Sequence, residues 1–570
     1  MKRRHRHSAA AVRLPMLHPF PRAADRVRAA PVAPVARQLP WPDEMYLIDG
    51  TTPAPPGASA TSMGFKGWNL LRMAQLGLPV PPAFVLGTHY CLDAEARTQA
   101  ATAAFYQPGL QSLERASGLA FGDAARPLLL SVRSGAPVSM PGMMETLLNI
   151  GLCDRTVVGL LRQTGNPRLV WDAYRRLVAS HGEVVAGLPA KVFEDASTAL
   201  FGERDERELD FMELRAMTER FLAVYADAAG TPFPQDPGVQ LRSAIQAVLQ
   251  SWQSDKARSY RRMNGIDDAI GTAVTVQRMV FGNAGGLSGA GVGFTRDPAS
   301  GAPGLWVDFL FNAQGEDVVS GRRSAHGHQQ LAAVLPQIWQ ALQDAAHLLE
   351  RAFGDMQDIE FTVQEGSLFM LQTRTGKRTA LAAARIALDL CDEGVIDAAT
   401  ARARTAGLDR TRLAQPRVVA AGGATLTPLA LAAAASNGVA IGEIALDEAR
   451  ARVRHDAGAA VILVRRDAET SDLVALNLAE GLLTACGART SHAAVVARQL
   501  GKVCLVGCTA LQIDAQTRTV TIGKVTVREG DLITLDGDSG AVYAGSAGTE
   551  ITYPDDLLAR LARLRDTAPA

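Results

Sequence analysis

Six cysteines are spread over 570 residues, and no two of them have the two-residue spacing of a zinc knuckle or a redox pair. That scarcity excludes a disulfide scaffold and leaves reduced thiols as the expectation. Long apolar runs are missing as well. A membrane-crossing helix needs roughly 20 consecutive apolar residues, and stretches such as 429–435 are soon followed by polar ones. Net charge is also absent, with Lys+Arg and Asp+Glu both counting 58. No global field is therefore available to hold a polyanion or an acidic membrane. There is no internal repeat. What the chain does have is length and ordinary globular usage, 47% hydrophobic and 20% charged, which predicts two to four domains of a cytoplasmic protein with neither nucleic-acid nor membrane partners.

Residues 1–42 carry nine Lys and Arg against one acid, Asp25, with several prolines. They read as a disordered basic tail, although an organelle transit peptide or a misassigned start shares that composition. Structure is expected from about residue 43. The motif Ser62-Met63-Gly64-Phe65-Lys66-Gly67 reads as a loop feeding a helix over 68–76, where Leu70, Leu71 and Ala74 have helical spacing. Residues 154–263 read as helices. Segments 273–280, 305–311, 358–363 and 368–374 are rich in β-branched and large apolar residues and read as strands. Residues 380–415 are helical again, and strands 461–464, 482–484, 503–506, 520–527 and 532–535 form a second strand-rich unit.

Three clusters carry candidate chemistry. In Thr490-Ser491-His492-Ala493-Ala494-Val495-Val496-Ala497-Arg498, either Thr490 or Ser491 can cap a helix that has His492 in its first turn. The free N–H groups there disfavour an imidazolium and favour an incoming phosphoryl group. A half-buried histidine without chemistry fits the same residues. Arg133, at a strand end beside a Gly- and Ser-rich loop, offers phosphate oxygens a forked cation, and a plain surface turn fits equally. Asp358 and Glu360 alternate with Ile359, Phe361 and Val363, and Gln372 and Arg374 are likewise two apart. A three-residue connection, Glu365-Gly366-Ser367, sets Glu360 opposite Gln372 and Asp358 opposite Arg374, while a two-residue turn shifts the register by one and breaks the cluster. Carboxylates with an amide oxygen suit Mg²⁺; the competing reading is a solvent face with a surface ion pair.

The blocks Val132-Arg133-Ser134-Gly135, Ser139-Met140-Pro141-Gly142-Met143-Met144, Asn312-Ala313-Gln314-Gly315-Glu316-Asp317-Val318-Val319, Leu371-Gln372-Thr373-Arg374 and Thr490 to Arg498 closely resemble, in that order, the pyruvate phosphate dikinase family. The resemblance runs from about residue 43 to 548. It implies an α/β and α+β multidomain chain: an ATP-grasp-type nucleotide-binding domain (43–380, helical insertion about 154–263), a helical linker (381–428), a swivelling phosphohistidine domain (429–548) and a tail (549–570). His492 falls on the phosphocarrier and Arg176 on an arginine linked to inorganic phosphate. Lys66, Arg133, Gly142, Met144, Thr146, Gln277, Glu316 and Arg374 fall on nucleotide contacts. Asp358, Glu360 and Gln372 fall on the Mg²⁺ face, and Thr490 on a regulatory phosphorylation site of plant members.

The implied activity is ATP-dependent phosphorylation of His492 with inorganic phosphate as second acceptor, releasing AMP and pyrophosphate. A phosphoenolpyruvate synthase-like or antibiotic phosphotransferase-like enzyme, or a non-catalytic ATP-binding remnant, remains open. Family members continue into a barrel that binds pyruvate and phosphoenolpyruvate. Here residues 551–565 suffice for one helix, so the expectation is either a separately encoded barrel partner or an absent second half-reaction, with a homodimer also open. Two departures stand out: Cys486-Gly487-Ala488-Arg489 replaces a loop that usually has two glycines and a methionine, and Pro137 stands where many members have arginine.

Overall fold

The computed structural model describes residues 44–138, 140, 143–202, 204–319, 326–420, 426–467 and 472–566. The basic tail and Gly142, with Ser139 and Pro141, lie outside the described residues, as does the His492 side chain.

Two five-stranded antiparallel sheets organise the N-terminal part. The first has the order Met45–Ile48, Ala83–Leu86, Ala273–Arg278, Leu130–Gly135, Thr146–Ile150. The second has the order His326–Gly327, Pro303–Phe311, Gly289–Arg296, Gln357–Gln364, Ser367–Thr375. Its central strand, Gly289–Arg296, carries no strand-like sequence signal because three of its residues are glycines. The reason is packing: a Cβ on Gly289 would lie 2.2 Å from the Phe309 ring and one on Gly291 2.4 Å from the Phe361 ring.

Helix Ala60–Gln75 buries Leu70, Leu71 and Met73 against Ile359, Phe361 and Met370 of the second sheet, with Leu342 and Leu349 of helix Pro336–Phe353 completing that core. It starts eight residues earlier than the helical spacing predicts, on a reciprocal Ser59/Ser62 cap, and kinks at Gly64 (φ 66°, ψ 163°). Side-chain periodicity cannot register such a break. The kink lets the backbone approach the first sheet, where Phe65 N donates to Ala136 O at 2.9 Å.

The predicted helical stretch folds as six helices, Asp154–Thr164, Pro167–Val184, Lys191–Phe201, Phe211–Ala229, Pro237–Ser251 and Asp255–Asn264. Tyr174, Leu241, Ile245 and Trp252 pack from these helices onto Val132, Val274 and Val276 of the first sheet.

Helices Ala380–Asp392 and Ala398–Thr405 lead to an eight-stranded sheet, whose centre is parallel: Val439–Ala445, Val461–Arg465, Gly481–Thr484, Val503–Val506. The expected strand 520–527 is a hairpin, Thr519–Ile522 and Val525–Arg528, broken at Gly523 (φ 63°). Residues 551–565 are not one helix. Gly548–Thr552, rich in β-branched residues, pairs with Gln415–Val419, and the helix begins at Asp555 and runs to Asp566. Among the described residues no helix is long and apolar enough to cross a membrane.

Candidate functional site

The hairpin of the second sheet turns on two residues, Glu365 and Gly366, with φ of 49° and 75°. Positive φ at both positions gives the turn whose twist matches the flanking strands. The expected three-residue connection is thus one residue too long. Alone, the shorter turn would rotate Gln372 and Arg374 onto the core face. A β-bulge prevents this: Phe361 pairs with Met370 but Glu360 pairs with Gln372, so Leu371 is the extra residue and Asp358 still opposes Arg374. The predicted pairing holds by a different device.

Register across the sheet aligns two rows of side chains on one face. One row is Trp306, Phe294, Asp358, Arg374; the next is Asp308, Val292, Glu360, Gln372. Arg374 Nε donates to Asp358 Oδ2 at 2.7 Å, and Gln372 Nε2 to Glu360 Oε1 at 3.0 Å. Asp358 is buried (3% exposed), unlike the solvent-facing acid of the competing reading. Burial pushes its carboxyl up, Arg374 opposes that shift, and Oδ1 has no hydrogen-bond partner.

Cations close in from the first sheet. Arg133 Nη2 donates to the bulge carbonyl, Leu371 O, at 3.0 Å and to Gln277 Oε1 at 3.3 Å, while its buried Nε is unmatched. Gln277 is itself buried, and its Nε2 donates to Pro81 O at 2.9 Å. Both ends of that amide are therefore used within the protein, holding Arg133. Thr146 opposes Arg133 on the neighbouring strand, and Met144 packs half-buried against the core. Lys66 follows the Gly64 kink. Desolvation, then the nearby Arg133, push its ammonium down to about 8, against the pull of Glu360.

These residues fit Mg²⁺ as a shared ion. Mg²⁺ prefers one or two carboxylates plus water and substrate phosphates. The unmatched Asp358 Oδ1, with Glu360 and Gln372 in the adjacent row, is that donor chemistry. Among the described residues no group of three or more His, Cys, Asp or Glu side chains offers a complete protein cage.

Arg176 and Glu316 form a second charged group. Arg176 Nε meets Asp172 at 3.0 Å, Nη2 meets Asp317 at 3.1 Å and Nη1 meets Glu316 at 3.5 Å, joining the helical insertion to helix Gly315–Val319. Among the described residues no hydrogen bond or ion pair links this group to the hairpin acids.

His492 is the first residue of helix His492–Leu500, capped by Ser491, whose side chain accepts from Ala494 N at 3.4 Å. The loop before it sits on the hairpin's own face. Thr490 N donates to Asp308 Oδ2 at 3.1 Å, and Thr490 Oγ1 is buried without a partner. Trp306 and Asp308 escape sequence reasoning, although an acid alternating with Val307 and Phe309 in an otherwise apolar strand is the signal that marks that face. The Leu371 carbonyl leaves no side-chain signal at all.

Fold and site together define a multidomain α/β protein in which a buried acidic hairpin, flanked by three cations, faces a helix that starts at a histidine. The family profile described as pyruvate phosphate dikinase, AMP/ATP-binding domain matches residues 109–329 and 327–394, and that described as PEP-utilising enzyme, mobile domain matches 458–540. The chain belongs to the pyruvate phosphate dikinase family. It is 42% identical over 504 residues to pyruvate, phosphate dikinase of Clostridium symbiosum, covering 86% of this chain and 57% of that protein. With the Rhizobium meliloti (strain 1021) enzyme identity is 42% over 505 residues (85% and 56%). With pyruvate, phosphate dikinase 1, chloroplastic, of Arabidopsis thaliana it is 40% over 489 residues (85% and 51%). The chain thus spans a little over half the length of these relatives.

Proposed function

We propose that this chain performs the nucleotide half-reaction of a dikinase-type phosphotransferase, with His492 as phosphoryl carrier and pyruvate as the eventual acceptor that the relatives' names indicate. The supporting observation is the shared face of the second sheet. Asp308, which holds the loop before His492, is two strands from Glu360, a separation of roughly 10 Å at the usual strand spacing.

Lys66, Arg133 and Arg374 outnumber Asp358 and Glu360 and so favour a polyanion such as a triphosphate. Gln277 and the Leu371 carbonyl fix the Arg133 fork. Bound between the hairpin acids and the phosphates, Mg²⁺ would neutralise phosphate charge. Free N–H groups at a helix start disfavour an imidazolium, and the neutral imidazole is the nucleophilic form that the role of His492 requires. Its nitrogen forms a bond to the β-phosphorus of ATP as the bond from that phosphorus to the α,β-bridging oxygen breaks, and AMP leaves. An oxygen of inorganic phosphate, oriented by Arg176, then attacks the γ-phosphorus. Pyrophosphate departs and the β-phosphoryl group stays on His492. A phosphoryl group on Thr490 would place a dianion beside Asp308 and block this docking by like-charge repulsion.

The test is incubation with β-labelled ATP, phosphate and Mg²⁺. Label should accumulate on His492 with equivalent AMP formation, and each should require phosphate. A native protein that takes up no more label than His492→Ala refutes the reading.

A further inference from the structure

Arg489, the charge that the carrier loop adds to the family pattern, has a partner in the nucleotide domain. Its guanidinium carbon lies 3.9 Å from the centroid of the Trp306 ring. Trp306 packs at 5.7 Å on Phe294, and Phe294 in turn has Arg498 of the carrier helix 5.2 Å from its centroid. Asp308 and Asp297 draw on Arg489 electrostatically. Among the described residues the guanidinium makes no hydrogen bond or ion pair, so the ring is its principal contact.

We propose that Arg489 and Trp306 form a latch, a cation–π contact that sets the fraction of time the carrier loop spends docked on the nucleotide sheet. The inference rests on the reading of His492 as carrier. Three features support it. Arg489 is three residues before His492, and its carbonyl accepts from Arg498 Nη1 at 3.0 Å, so the loop is braced against its own helix and a restraint at Arg489 reaches the helix start. Trp306 shares a row with Asp358, so a loop held at Trp306 is aligned with the hairpin acids. Both partners are half-buried, where a cation over an indole face is stronger than at an open surface. Both are positioning residues.

Hydrogen exchange at the Thr490 amide, which bonds to Asp308 only when docked, reads the latch without any chemistry. The variants are Arg489→Met and Trp306→Leu, which lose the contact, and Arg489→Lys and Trp306→Phe, which keep a cation or a π face. A peptide covering 461–465 of the carrier sheet controls for global folding. Thr490 protection is expected to fall about three- to thirtyfold in the first pair, the range that about 0.7–2 kcal/mol of cation–π energy gives at 1.4 kcal/mol per tenfold. It should recover partly in the second pair, and His492 labelling rates should follow the same order at unchanged ATP affinity. Protection equal to wild type in Arg489→Met and Trp306→Leu, with the control peptide intact, overturns the latch. Weakened protection in a protein whose wild type never labels His492 would leave the latch standing and remove the carrier reading instead.

Discussion

Lys66 shows at the level of one side chain what burial beside a second cation does to an ammonium. An ammonium of ordinary value 10.5 is pushed down to about 8 by loss of solvent and by Arg133. The unfolded chain therefore binds this proton more tightly than the folded one. The residue's contribution to stability is fully present above 10.5 and is lost as pH falls through about 8. On the proposed function, a bound triphosphate would reverse the preference by favouring the ammonium. Calorimetry at pH 9 in two buffers of different ionisation enthalpy should show uptake of most of one proton on ATP binding, and ATP affinity should decline as pH rises beyond about 8. Lys66→Met should abolish both effects; an unchanged proton uptake in that variant would assign the shift to another group. Identity at this scale was readable in the sequence. Spacing alone makes the pairs Asp358–Arg374 and Glu360–Gln372 legible, and the structure sets Arg133 and Lys66 beside them, whereas Gln277 bonds to Arg133 and Arg176 stands with Glu316 apart from the hairpin.

Elements supply the devices that aim those side chains, and these are harder to read. The hairpin pairing was legible because alternation fixes which residues share a face, but its cause was not: a two-residue turn followed by a bulge at Leu371 gives the same partners as the longer connection. Strand Gly289–Arg296 was hidden by the glycines that two phenylalanine rings demand. The start of the helix carrying Lys66 is not legible in the sequence because Gly64 breaks the period while the chain continues helical on both sides. A Cβ at Gly64 would lie 1.6 Å from Gly135 O, and its φ is positive. Gly64→Ala is accordingly expected to destabilise the protein by about 2–5 kcal/mol, combining backbone strain with overpacking. It should also weaken ATP binding by displacing Lys66. Denaturant titration and nucleotide titration check the two parts, and a variant of native stability would show that the kink is not needed.

Across the molecule, the connector between the second sheet and the eight-stranded sheet is held at both ends. Arg296, 3% exposed, joins Glu350 at 3.0 Å to Glu393 at 2.7 Å, tying the second sheet to the end of helix Ala380–Asp392. Helix Asp555–Asp566 then returns to bury Leu557 and Leu561 against Leu388 and Leu413. Leu561→Ala should cost about 2–5 kcal/mol and change His492 labelling through the connector, while ATP affinity stays at the wild-type value. A loss of affinity equal to the loss of labelling would mean that the nucleotide site itself depends on this helix. The seam between the two sheets has a property of its own. Thr490 Oγ1 and Arg498 Nε and Nη2 are buried without a protein partner where the loop before His492 meets the second sheet. Leaving a buried polar atom unpaired costs about 1–3 kcal/mol, so hydration of these atoms on separation would oppose the grip of Arg489 on the Trp306 ring. On the proposed function, the same seam would align the loop for reaction and, through these atoms, favour its departure.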